Sequence, residues 1–212
     1  MRVTKKHEDR KNEILDVAER LFYSKGFENC TVNDILKEVG IAKGTFYHYF
    51  KSKEETLEAV VERSITIMAS RIKEAIRKEE YKPDQKLMNV FLAMRMGDDV
   101  DDKLLEDLHK SENALLHQKN LSQMVETISP ILVEIIEEGT QKGYWNCRYP
   151  LEYMQIFLAS ALTLTDDGIF KFDAEAQMKV MAALISILEM MLEVPENSFM
   201  ELYIQNWDTI SR

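Results

Sequence analysis

Glycine and proline are scarce. Seven Gly and four Pro in 212 residues leave few turn formers for a many-stranded β fold, and 45% hydrophobic with 30% charged residues favours helices around a sizeable core. Cysteine is scarcer. Cys30 and Cys147 stand alone, with no Cys-x-x-Cys, so a reduced, cytoplasmic setting is expected. Long apolar runs are missing. IFLASALTL (156–164) and VMAALISIL (180–188) fall far short of a membrane span. The N-terminal MRVTKKHEDRKNE is charged with no apolar run behind it, which does not read as a secretory signal. No β alternation, internal repeat or low-complexity segment is present.

The net charge of −10 argues against a polyanionic partner only as a single figure. Residues 1–55 hold 11 Lys/Arg against 10 Asp/Glu, and the remainder 16 against 27. The imbalance suggests two modules with different partners, the larger of which would repel an anionic polymer.

The chain expected is all-α. In RKNEILDVAERLFYSKGF, Ile14, Ala18, Leu21 and Phe22 share one helical face, and Gly26 ends the helix. Thr31 and Asp34 have the spacing of a capping box, with Val32, Ile35, Leu36 and Val39 as the apolar stripe and Gly40 as the left-handed stop. Ser52 and Glu55 form a second box. It opens a helix expected over 53–79, about 40 Å long at 1.5 Å per residue, which ends before Pro83. Further helices are expected over 85–96, 101–118, 121–142 (interrupted at Pro130), 151–165 and 174–194, then a short amphipathic tail.

Between the two capping boxes lies GIAKGTFYHYF (40–50). On a helix, Phe46, Tyr49 and Phe50 fall on one side, while Lys43, Gly44, Tyr47 and His48 fall on another. The first group suits packing against the preceding helices. The second is cationic, polar and aromatic, opened by a glycine that admits a close surface. A short helix, a Gly turn and a second short helix braced by a third make a helix-turn-helix, whose second helix enters the major groove. An ordinary aromatic core helix is the plainer alternative; the flanking caps, the Gly turn and the polar outer face weigh against it.

Residues 8–55 resemble the DNA-binding domain of the TetR/AcrR family of bacterial transcriptional regulators, and TVNDILKEVGIAKGTFYHYFKSKEETL is similar to that family's signature. The resemblance implies an N-terminal three-helix DNA-binding domain over 1–55 and a helical-bundle domain for ligand binding and dimerisation over 56–212. It implies that Thr31 touches a phosphate, that Lys43, Gly44 and Thr45 lie nearest base edges, that Tyr47 bonds a phosphate, that His48 meets a phosphate or base, and that Lys53 pairs with a phosphate. Ala42 departs from the Ser common in the family, so the recognition helix lacks a cap worth roughly 1 kcal/mol.

The function implied is a ligand-responsive repressor, bound as a homodimer to a palindromic double-stranded operator and released by a small hydrophobic or amphipathic effector. An activator of the same family, or a helical-bundle enzyme with a vestigial helix-turn-helix, are the alternatives. The expected dimer surface uses helices 151–165 and 174–194, with Leu184 inside it. Candidate effector contacts are Met68, Met88, Phe91, Arg95, Leu108, His109, Glu112, Met124, Trp145 and Phe157. Met suits core filling as well as an adaptable pocket. Glu106 and His109 have di-iron ligand spacing, but His7, His48 and His117 lack a Glu three residues earlier, so no metal, cofactor or catalytic residue is expected. Cys30, beside Thr31, reads as a small buried filler before a redox switch.

Overall fold

The computed structural model describes residues 2–95 and 113–205, with side chains over 7–94 and 113–202. Among the described residues all regular structure is helical: α1 (Arg2–Lys25), α2 (Val32–Val39), α3 (Lys43–Tyr49), α4 (Lys53–Ala75), α5 (Pro83–Arg95), α6 (Ala114–Gln141), α7 (Pro150–Leu164), α8 (Ala174–Met191) and α9 (Ser198–Gln205). The chain forms two compact units. One comprises the chain up to Ser64 with the segment ending at Asn120; the other comprises the chain from Ile65 with the part that begins at Leu121.

In the first unit, Ile14, Ala18, Leu21 and Phe22 of α1 are buried as their spacing predicts, together with Ile35, Phe46, Phe50, Leu57 and Val60. Fully burying each such large side chain is worth about 1.5–3 kcal/mol, so this small unit depends on every one of its helices. Arg63 of α4 pairs with Asp16 at 2.6 Å and with Glu19, fixing α4 along α1. Gly40 ends α2 at φ 74°, with its N–H donating to the Leu36 carbonyl. Of the α2 stripe only Ile35 is wholly buried; Val32, Leu36 and Val39 are half-buried.

The second unit is built around Ile72, Leu87, Val90, Ile128, Leu132, Ile136, Met154, Leu158 and Leu188. Several expected boundaries shift. α4 stops at Ala75 rather than 79, because its last fully buried residue is Ile72 and the charged run after Ile76 has no packing to sustain a helix. No break separates 118 from 121; α6 runs unbroken over Ala114–Gln141, straight through Pro130. Pro130 is exposed, flanked by buried Ile128, Ser129, Ile131 and Leu132. The backbone bond it removes therefore opens to water while the packed side holds the helix. Ser129 Oγ donates to the Val125 carbonyl at 2.5 Å beside the gap. α8 ends at Met191 rather than 194.

Leu184 is 3% exposed and belongs to this unit's own core, so it is not a surface residue of the kind expected. The large apolar residues exposed on α7 and α8 are instead Leu151, Ile156, Met178, Ile187 and Met190. Buried Glu189 accepts from the N–H groups of Asn197, Phe199 and Met200 and so caps the start of α9. Of the helix expected over 101–118, the part over 101–112, with Glu106, Leu108, His109 and Glu112, lies outside the described residues, as does the Arg95 side chain.

Candidate nucleic-acid interface

The entry to the helix-turn-helix is tightly wired. Thr31 Oγ1 accepts the Asp34 N–H at 3.2 Å and donates to Asp34 Oδ2 at 2.6 Å, while the Thr31 N–H reaches the same oxygen at 2.9 Å. Lys25 pairs with the other carboxylate oxygen at 2.9 Å. The Thr31 hydroxyl first, and Lys25 next, hold the Asp34 carboxyl well below the ordinary carboxylate range. The box at α4 is offset by one residue: the Ser52 hydroxyl accepts the Glu55 N–H at 3.1 Å, but the Glu55 carboxylate takes the N–H of Lys51.

α3 turns Phe46 and Phe50 inward and half-buries Tyr49, leaving Lys43, Gly44, Thr45, Tyr47 and His48 exposed. Tyr47 is 46% exposed, with the Lys43 ammonium 5.8 Å from its ring centre. A Cβ added at Gly44 would meet nothing within 4 Å. Among the described residues nothing demands glycine there. Ala42 offers no side-chain cap, as its chemistry requires.

Lys53 is placed differently from an idle surface cation. Its ammonium donates to the Phe27 carbonyl at 2.7 Å and the Glu28 carbonyl at 3.4 Å and lies 4.2 Å from the Phe27 ring centre. The Phe27 N–H in turn donates to buried Asn113 Oδ1 at 2.8 Å. The loop carrying Thr31 is therefore gripped on both sides of one residue. Asn113 was invisible to sequence reasoning, since a lone Asn 86 residues away carries no local signal. His7 and Lys11 were also missed. The His7 ring centre lies 4.6 Å from that of Tyr49 and 5.5 Å from that of His48. Extending the 7, 11, 14, 18 periodicity toward the N-terminus would have found both. Burial pushes the Cys30 thiol up, away from the reactive thiolate and toward the filler role.

In the second unit, Met68, Met88, Phe91 and Met124 are half-buried, and Trp145 and Phe157 are buried. Phe91 and Phe157 lie 5.4 Å apart. Trp145 is committed to the fold: Nε1 donates to the Ile136 carbonyl at 2.8 Å, and a Cβ at Gly139 would stand 2.1 Å from its ring. A cavity of about 150 Å³ is lined by Leu121, Ser122, Val125, Ala159, Leu162 and Thr163, none of them among the expected contacts. No cluster of three or more metal-ligating side chains occurs among the described residues, and no described helix is long and apolar enough to cross a membrane.

Residues 14–60 match the model of bacterial regulatory proteins of the tetR family, and residues 98–187 match the tetracyclin repressor-like C-terminal domain. An HTH-type transcriptional regulator of Staphylococcus aureus (strain USA300) is 32% identical over 108 residues, which are 50% of this chain and 57% of that protein. The alignment thus spans little more than half the length of this curated relative. Two solved structures share the fold. A TetR-family transcriptional regulator of Pectobacterium atrosepticum has a TM-score of 0.64 at 18% identity, covering 91% of this chain and 98% of its own. RolR in complex with resorcinol has a TM-score of 0.63 at 16% identity, covering 93% and 94%. With both halves matched, the expectation raised by GIAKGTFYHYF is met: the chain belongs to the TetR family of bacterial regulatory proteins.

Proposed function

We propose that the protein is a transcriptional repressor that binds a palindromic duplex as a homodimer and leaves it when a small hydrophobic or amphipathic effector binds. The observation that carries the DNA reading is the outer face of α3, where Lys43, Thr45, Tyr47 and His48 stand exposed around a Gly44 that no internal contact requires. Thr31 and the α2 N-terminus add a phosphate contact. Lys53 contributes through its remaining N–H and by holding the loop before Thr31. The reading assigns DNA contact to residues 1–55 and effector binding and dimerisation to 56–212, in a cytoplasmic protein.

The exposed apolar residues of α7 and α8 supply the dimer face, and a two-fold dimer suits half-sites whose centres lie about 34 Å apart. The effector reading draws on the resorcinol bound by one structural relative and on the half-buried Met and Phe side chains of the second unit. The cavity of about 150 Å³ is smaller than ordinary ligand sites of roughly 300–1,000 Å³, so an effector must widen it or open another. A tenfold loss of DNA affinity needs about 1.4 kcal/mol of preference for the non-binding state, and DNA must weaken effector binding by the same factor.

Selection of bound duplexes from a random pool, followed by a salt series, tests the reading. A consensus with two-fold symmetry and steeply salt-dependent affinity is expected, with Lys43→Ala relaxing the sequence preference. A chain that selects no duplex, or whose Lys43→Ala and Tyr47→Phe variants bind as tightly and selectively as wild type, refutes it.

A further inference from the structure

The first eleven residues carry five Lys/Arg against two acidic residues, and α1 begins at Arg2, so this charge is carried on a helix. His7 and Lys11 sit one turn apart on the stripe that continues as buried Ile14 and Ala18. Both are exposed, and both abut the recognition helix or its end. His7 contacts Tyr49 and His48 ring to ring, and the Lys11 ammonium stands 5.9 Å from the Phe50 ring centre. Exposed His7 thereby adjoins the outer face of α3 at His48, and exposed Lys11 stands one turn further along α1, beside the end of that helix.

Charge satisfaction points the same way. Arg10 is paired with Glu13, Lys25 with Asp34, and Lys53 with two carbonyls. Neither His7 nor Lys11 has an ion pair among the described residues. The cation expected to hold a phosphate at α4 is thus partly committed to the protein, while Lys11 keeps its donors turned to water.

We infer that His7 and Lys11 form a second phosphate-contacting row on DNA, beside α3. This rests on the DNA-binding reading above and adds to it a contact from outside the helix-turn-helix, one that recognises the sugar–phosphate backbone and not sequence.

Fluorescence anisotropy on mixed-sequence duplex DNA across a salt series is the test. Lys11→Gln should flatten the slope of log affinity against log salt by about one unit for each protomer seated on the duplex, and Lys11→Arg should keep the wild-type slope. His7→Ala should weaken binding roughly two- to tenfold. Wild-type slope and affinity in both Lys11→Gln and His7→Ala would overturn the inference and leave the DNA reading standing. A flattened slope shared by Lys11→Arg would mark a folding effect and overturn it too. A wild-type chain with no salt-dependent binding would overturn both readings.

Discussion

Lys53 and Tyr47 separate two ways in which a residue can serve one surface. The Lys53 ammonium is bonded to the Phe27 and Glu28 carbonyls and lies over an aromatic ring, so Lys53→Met should lower unfolding stability by about 2 kcal/mol as well as weaken DNA binding. Tyr47 projects outward, and Tyr47→Phe should weaken DNA binding while stability stays within about 0.5 kcal/mol of wild type. Paired denaturant melts and duplex titrations check both. Asp34 brings pH into the same loop. Its carboxyl is held below its ordinary range by Thr31 and Lys25, so its contribution is fully present above the unfolded value of about 3.9. That contribution is lost as pH falls from there toward the folded value. The stability gap between wild type and Asp34→Asn, measured from neutral pH downward, should therefore be constant to about pH 5 and shrink below about pH 4. A gap that widens on acidification would mean the carboxylate is not held as described.

At the scale of single helices, what could be read from the sequence was set by range. The caps at Thr31 and Gly40 and the inward and outward sides of α3 rest on residues within four positions of each other, and they were legible. The end of α4 and the continuity of α6 through Pro130 depend on which side of a helix is packed by distant chain, and the capping of α9 by Glu189 reaches across a turn of 8 to 11 residues; no local pattern carries either. Gly139 shows the difference. Within α6 a glycine costs about 1 kcal/mol relative to alanine, so propensity alone favours replacement. The Trp145 ring occupies the space a Cβ would need, and Gly139→Ala should destabilise by about 1–3 kcal/mol. Expelling the ring from its bond to the Ile136 carbonyl should also move the tryptophan emission to the red. A variant more stable than wild type, with unchanged emission, would contradict this packing.

At the scale of the whole molecule, burial decides which leucine or methionine can report on assembly. Leu184 looked like an interface residue because its helix is apolar nearly all round; the structure places it within the protomer's own core. Leu184→Glu should therefore unfold the second unit. Met190→Glu, at a position 68% exposed, should leave the protomer folded and shift sedimentation from dimer to monomer. A folded Met190→Glu dimer, together with an equally dimeric Ile187→Glu, would remove α8 from the interface. The candidate effector residues were the least legible part of the sequence. A mixed Met and aromatic composition fits a filled core and an adaptable pocket equally well, and Trp145 proved to be held by hydrogen bonding and ring packing.

The uncapped start of α3 has a consequence in time. Ala42 provides no side-chain acceptor for the first turn, and among the described residues the amides of Lys43 and Gly44 make no backbone hydrogen bond of their own. In the isolated protein both amides should exchange with solvent deuterium at nearly the rate of an open chain, while the Phe46 amide, bonded to the Ala42 carbonyl, should exchange more slowly. If α3 seats its N-terminus against DNA, these two amides should slow by an order of magnitude or more on complex formation, without change in the core amides of Ile14 and Phe22. The missing serine hydroxyl leaves this first turn a residue-level clock for the arrival of the duplex.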